Sequence, residues 1–463
     1  MKSVTDEYIP ISTFEQTKEG KYGAISISSD TESHSPKFFS FENIGIIANT
    51  MSILLAAAIF SIPWSFFEAG IFGGLVIVSF SSFLSCRTIM ALLEAQKSLY
   101  LQSGQVYDYP DIAAKYLGGR GWATSVITAT SVSCIGGCAG FVIFIGQICS
   151  QELGLPLKYS IGLLSIPMIF LSWIRSFREL AVFTVFGVCS VVLAVGAIFI
   201  EGYPVDQSTL EVKSLDIIPT IAFLGNATFL FTIHYCVLAM GAETLRAHQN
   251  QSSMFSDIPL VVDRLTLPVN MAFVLGTVVV ACLGLVGPLV YSGKALVRDS
   301  RGVVVSGCED TVCQNIVLNL PPGLPRAVVG VMLVTSIIIT YMVLLAPARE
   351  HIENFVIRVC KPSSGTCTIW LQNTVRTVLV LSTCVIATHT PYFGSVLQTV
   401  GGITDAFQSY VVPALIYLQM IRLMDGHGSV FYFYVFVLVF GIGLVLFTMY
   451  LTTESIYAYN STS

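Results

Sequence analysis

Charge is what this chain has least of. Only 11% of its 463 residues are Asp, Glu, Lys or Arg, while 54% are hydrophobic; an ordinary soluble domain is about 25% charged. So few charges cannot cover a water-soluble globule of this length, and the class left is a polytopic membrane protein. The net charge of −5 excludes the basic surface that a nucleic-acid partner requires. Enzyme motifs are missing too: there is no GxSxG, HExxH or P-loop run, and His234 has no obvious catalytic nucleophile beside it. Nor is there the filter sequence or ring-forming repeat of a channel. Twelve cysteines are present, but neither polar-loop pair, Cys308/Cys313 or Cys360/Cys367, has a third ligand at zinc spacing, and no cofactor is expected.

What the chain does have is apolar runs. Eleven of about 17–28 residues read as membrane-spanning helices: 45–68, 71–95, 122–149, 159–175, 180–201, 217–242, 265–291, 325–346, 374–391, 395–421 and 430–452. The first 40 residues are polar and serine-rich, and 1–43 reads as a disordered cytosolic tail. With that tail in the cytosol, sixteen of the 23 Lys and Arg fall on cytosolic segments, six fall outside and Arg87 lies within the second span, the positive-inside pattern. The short tail 453–463 then lies outside or in a lumen. That puts the sequon at Asn460 and the loop holding Cys308 and Cys313 on the oxidising side, where glycosylation and a disulfide are expected. The sequon at Asn226 lies inside a span and should stay unmodified.

Polar residues cluster in four spans. The first holds Asn49, Ser52, Ser61 and Pro63; the sixth holds Asn226, Thr228, Thr232 and His234; the eighth holds Thr335, Ser336 and Thr340; the tenth holds Thr404, Asp405 and Gln408. Spans one and six are five apart, the spacing expected of corresponding interrupted helices in an inverted-repeat transporter. Pro63 and the small residues before it predict a place where the first span unwinds against a cavity, since backbone at membrane depth tolerates a break only there; the alternative is a packing kink.

Several stretches resemble the amino acid/auxin permease family over about residues 44–452. The first span carries Asn49, Ala56-Ala57-Ala58 and Ile59-Phe60-Ser61-Ile62-Pro63-Trp64; the loop YPDIAAKYLGGRG (109–121) and GGCAGFVIFIGQ (136–147) follow. FTIHYCVLAMGAETL (231–245), ITYMVLLAPARE (339–350) and VGGITDAFQSYVVPALIYL (400–418) are similar to the sixth, eighth and tenth spans, closest to the sodium-coupled neutral amino acid transporter branch. The pattern departs at Ala56 and Ala58, where glycines are usual, and at Ser52, Ala239 and Met342.

The resemblance implies an all-α polytopic fold of the leucine-transporter kind. Five spans (44–202) are followed by an inverted five (217–421) and an eleventh helix (430–452). It implies a secondary transporter for small or neutral amino acids working by alternating access, with an amino-acid-sensing receptor of little net flux as the alternative. The substrate carboxylate would meet N–H groups of Ala56, Ala57 and Ala58. Its ammonium would meet carbonyls near Ser61 and Phe231, with Thr232 and His234 shaping the pocket or its gate. A sodium ion would use Asn49, Ser52, Ser336 and Thr340; a proton would use Asp405. Tyr8-Ile9-Pro10-Ile11 matches the Tyr-x-x-hydrophobic form read by clathrin adaptors, which leaves plasma membrane and endolysosome both open as locations.

Overall fold

In hydrocarbon a backbone must satisfy its own N–H and C=O groups, so an apolar chain of this kind folds into helices. The computed structural model describes residues 41–174, 181–201, 216–251, 258–293, 295–298, 302–362, 364–423 and 428–462. Among these residues the fold is helical, with β pairing limited to an isolated bridge between Arg298 and Val304. The helices are α1 (Phe41–Leu54), α2 (Ile62–Ser103), α3 (Tyr109–Leu117), α4 (Arg120–Leu153), α5 (Leu157–Ser172), α6 (Ala181–Glu201), α7 (Ile217–Phe231), α8 (His234–Gln251), α9 (Ile258–Val286), α10 (Leu324–Cys360), α11 (Gly365–His389), α12 (Phe393–Val400), α13 (Val412–Leu423) and α14 (Ser429–Thr462). Among the described residues, the apolar runs read as spans fall on helix, apart from breaks at residues 55–56 and 232–233. The motif at Tyr8–Ile11 lies outside the described residues.

Spans one and two are not separated by a loop. α2 contains a corner at Gly70, whose φ of 76° is left-handed and suits glycine; span one ends there and span two begins. Several expected boundaries need correction; α9 starts at Ile258 and α11 at Gly365, ahead of the expected 265 and 374. α2 continues to Ser103, α10 runs past 346 to Cys360 with Pro347 inside it, and α14 continues to Thr462 through the expected tail. Hydropathy marks where lipid stops, and a helix such as 348–358, which carries Arg349, Glu350, Glu353 and Arg358, goes on beyond it.

The 109–121 loop holds the amphipathic helix α3. Tyr109, Ile112, Ala113 and Tyr116 are buried at i, i+3, i+4 and i+7 spacing, against α4 and α13. The left-handed Gly118 ends it, with Gly118 and Gly119 N–H both donating to the Ala114 carbonyl. At the center of the bundle α2 packs on α7 and α9, and α4 packs on α10 and α12.

Candidate functional site

Two spans are interrupted, and they are the two that the sequence pointed to. In the first span α1 stops at Leu54. Leu55 and Ala56 leave the helix, Ala56 in extended conformation (φ −75°, ψ −171°), and a 3-10 turn covers Ala57–Ser61 before α2 starts. Pro63 is therefore not the break itself; it sits in the first turn of α2, where its missing N–H costs nothing. In the sixth span α7 stops at Phe231, Thr232 turns to φ −84°, ψ 83°, and α8 starts at His234. The N–H groups at the start of the 57–61 turn have no partner within that turn; at the end of α7 the Phe229 carbonyl accepts from Thr232 N–H and the Phe231 carbonyl from Ile233 N–H.

The breaks are stitched together. Asn226 Nδ2 donates to Ser61 Oγ at 2.8 Å and to Ser65 Oγ at 2.8 Å, and Ser61 Oγ also reaches the Ala58 carbonyl at 2.7 Å. Ala57, Ala58 and Ser61 are buried. The sequon at Asn226 is thus an interior hydrogen-bonding group and no glycan acceptor. The 57–61 turn also packs on α12 and on a short turn at Ile316–Asn319.

The tenth span supplies the third part. Between α12 and α13 it widens into π-helical turns over Gly401–Asp405 and Phe407–Val411, a distortion that concentrates at functional sites. Gly225 on α7 and Gly401 let the two spans meet backbone to backbone; a Cβ at either would strike the other's span. Asp405 is buried, and its Oδ1 accepts from Ser133 Oγ at 2.5 Å and Gln408 Nε2 at 2.6 Å. Gln408 Oε1 in turn accepts from Thr130 at 2.9 Å. Asp405 Oδ2 is buried without a hydrogen-bond partner. Tyr109 of α3 donates to the Gln408 carbonyl; burial pushes this phenol well above its ordinary range, so it remains a donor. On the other face of the span, Ser409 Oγ lies 2.9 Å from Thr232 Oγ1 and 3.1 Å from His234 Nδ1, while His234 Nε2 lies 2.8 Å from Thr88 Oγ1.

Of the expected site residues, Ala56–Ala58, Ser61, Phe231, Thr232 and His234 gather around the two breaks, and Asp405 lies in the adjoining span. The rest do not join them. Thr340 Oγ1 donates to the Ser336 carbonyl of its own helix at 3.0 Å, and Ser336 Oγ lies beside Gly187 of α6. Asn49 is exposed, its Nδ2 3.4 Å from Met240 Sδ, and Ser52 is half-buried. Cys308 and Cys313 are joined by a disulfide; Asn460 lies in the last turns of α14. Sequence reasoning had noted Asn226 and Gln408 only as polar residues in spans, and had passed over Thr88, Ser133 and Ser409. Their partners lie 146 to 278 positions away, and a lone Ser or Thr in a span gives no signal of such a partner.

Two interrupted spans facing a distorted third define the class: a polytopic membrane protein of broken-helix architecture. A family model described as transmembrane amino acid transporter protein matches residues 44–295 and 308–454, and the chain belongs to that family. The amino acid transporter ANT1 of Arabidopsis thaliana is 24% identical over 402 residues, covering 81% of this chain and 84% of that protein. The amino acid transporter AVT3C of the same plant is 22% identical over 404 residues, covering 81% and 82%. Among solved structures, a manganese transporter of Eremococcus coleocola bound to an aromatic bis-isothiourea substituted compound aligns with a TM-score of 0.48 at 14% identity, over 92% of this chain and 88% of that one.

Proposed function

We propose that the protein is a secondary transporter that carries amino acids across a membrane by alternating access. One observation supports this above the rest: the two helix breaks, about 165 residues apart in sequence, are hydrogen-bonded neighbors through Asn226 and Ser61. An α-amino acid carries a carboxylate and an ammonium on one carbon. It needs an anion site and a cation site a few Å apart, and helix N- and C-terminal ends provide them. The carboxylate lies at the N–H groups of Ala57 and Ala58 and the ammonium at the carbonyls that end α7 near Phe231. Segments 44–202 and 217–421 are the inverted halves that rock about this point. The N-terminus is cytosolic and residues 302–323 face the outside or a lumen.

The coupling ion in this reading is a proton. Thr340 donates its hydroxyl proton to its own helix and cannot change charge, whereas Asp405 can carry a proton on the unpartnered Oδ2 without losing either bond to Oδ1. Protein purified into proteoliposomes and given a panel of radiolabelled amino acids, under sodium and proton gradients imposed separately, tests this. The expected result is accumulation driven by acid on the 302–323 side, indifferent to sodium, with amino-acid methyl esters failing to compete. Binding without accumulation under either gradient overturns transport in favor of the sensing receptor. Sodium-driven accumulation moves the coupling site to Ser336 and Thr340.

A further inference from the structure

A chain of four side chains runs unbroken between two sets of backbone carbonyls. Thr232 Oγ1 reaches the Thr228 carbonyl at 2.6 Å and Ser409 at 2.9 Å; Ser409 reaches His234 Nδ1 at 3.1 Å; His234 Nε2 reaches Thr88 at 2.8 Å; Thr88 reaches the Leu84 and Ser85 carbonyls at 3.0 Å. All four side chains are buried. Both ends of the chain are acceptors that can never donate. Counting the forked contact of Thr88 as one, four groups in a row between two acceptors make five links, and each link needs one proton. Three hydroxyls and a neutral imidazole supply four. However the hydroxyls rotate, one link holds two lone pairs facing each other.

Only His234 can take a second proton. As imidazolium it donates from both ring nitrogens, Ser409 turns to donate to Thr232, and Thr88 and Thr232 donate to the carbonyls at the two ends, so that all five links are filled. We infer that His234 takes up one proton in the transport cycle, and that this proton clamps the sixth-span break to the π-helical part of span ten and to α2. When the proton leaves, one link opens and Thr232 is freed from Ser409 or Ser409 from His234. No covalent bond changes and the proton is the only species gained or lost. Binding of a charge at this depth is supported only where its surroundings compensate it. The titratable groups on the elements around it include Asp405 and Tyr410 of span ten, Tyr109 of α3, Cys86, Arg87 and Glu94 of α2, Cys134 of α4, and Tyr235, Cys236 and Glu243 of α8 itself. The described side chains of α9 add no charged group. Asp405, one helical turn before Ser409, is the buried carboxyl of that set, Glu94 and Glu243 being exposed. His234 is in this role a positioning residue: it sets the geometry of the break that the amino acid occupies.

The inference rests on the transport reading and deepens it. The test is His234→Gln, since glutamine offers one donor end and one acceptor end, the count of a neutral imidazole, and cannot carry the fifth proton. In proteoliposomes, proton-driven accumulation is measured relative to each protein's own exchange rate. The expected ratio for the variant falls by about tenfold for a pH gradient of one unit, the worth of one proton. In parallel, nitrogen NMR of 15N-histidine-labelled parent protein should show an imidazolium signal at acidic pH that is missing from the variant, a readout independent of turnover. A variant that accumulates as the parent does, or a parent without that signal where its transport responds to pH, overturns the inference alone. A parent that moves amino acids without regard to the proton gradient also overturns it and leaves transport standing; a parent with no flux at all removes the underlying reading.

Discussion

Asp405 Oδ2 is a single atom with a clear consequence. A buried carboxylate oxygen without a donor carries a desolvation cost that a bound proton removes. Asparagine at 405 keeps an acceptor for Ser133 and Gln408 and puts a fixed N–H group where the proton would come and go. Asp405→Asn is therefore expected to fold and to bind amino acid, and to transport one proton fewer per amino acid, read from the reversal potential of reconstituted protein. Unchanged stoichiometry would remove Asp405 from coupling. Gly225 makes a different demand at the same scale. Its α-carbon sits where a methyl would strike the Gln398 carbonyl, and Gly401 reciprocates against the Gly225 carbonyl. Small residues at such crossings let helices approach closely in a bilayer. Neither carbonyl can swing aside without breaking its own helix, so Gly225→Ala should cost about 1–3 kcal/mol by overpacking, seen as a lower midpoint in thermal unfolding of the solubilised protein.

Among elements, the clearest dependence is that of α5, α10 and α11 on one arginine. Arg376 of α11 donates to Glu353 of α10 at 2.7 Å and to the carbonyls of Ser172, Trp173 and Ile174, which end α5, at 3.2–3.3 Å. Both members of the ion pair are more than nine-tenths buried, and the guanidinium donates to the Ser172, Trp173 and Ile174 carbonyls as well as to the carboxylate. Without Arg376 the buried Glu353 keeps only Arg349, 3.9 Å away, and the α5 carbonyls lose their donor, so Arg376→Ala is expected to lose about 3 kcal/mol and Glu353→Gln less, again by thermal unfolding. Nothing in the sequence singled out this triangle, because Arg376 reads there as one more cytosolic cation. The contrast with the breaks is instructive. That spans one and six are interrupted was legible, since polar and small residues collect in an apolar run for few other reasons. Where each breaks was half legible. Phe231-Thr232 was placed, but Pro63 drew attention from Leu55-Ala56, which carries no breaker and unwinds where Asn226, Ser61 and Ser65 hold the next turn. The π-helical turns of span ten left no trace beyond Gly401-Gly402. They depend on bonds from Asp405, Gln408 and Ser409 to residues on α4 and α8, and pairings of that range cannot be read from one sequence.

At the scale of the molecule the breaks are closed off toward the end that carries residues 302–323. Phe60, Phe144 and Phe393, from spans one, three and ten, lie with ring centroids 5.5 and 5.1 Å apart in sequence. Above them the disulfide-bearing loop is seated by Ile316, Val317, Leu318 and Leu320, all buried. It is latched by amides: Gln314 Oε1 accepts from the Gly394 and Ser395 N–H groups at 2.9 and 3.3 Å, capping α12, and Gln147 Nε2 donates to the Ser306 and Pro391 carbonyls at 2.9 and 3.0 Å. An alternating-access cycle requires this lid to lift, and the apolar seat and the amide latch oppose that separately. Capping a helix start contributes about 1 kcal/mol, so Gln314→Ala should shift the balance toward the open form by about fivefold while leaving the aromatic layer in place. Cys138 reports on it, being buried on α4 just below Phe141 and Phe144. The expected outcome is about fivefold faster modification of Cys138 in the variant by a membrane-impermeant thiol reagent applied from the 302–323 side, read by mass spectrometry, with excess amino acid slowing both proteins. Equal rates in parent and variant would mean that the loop is not the barrier and that the phenylalanine layer alone closes this side.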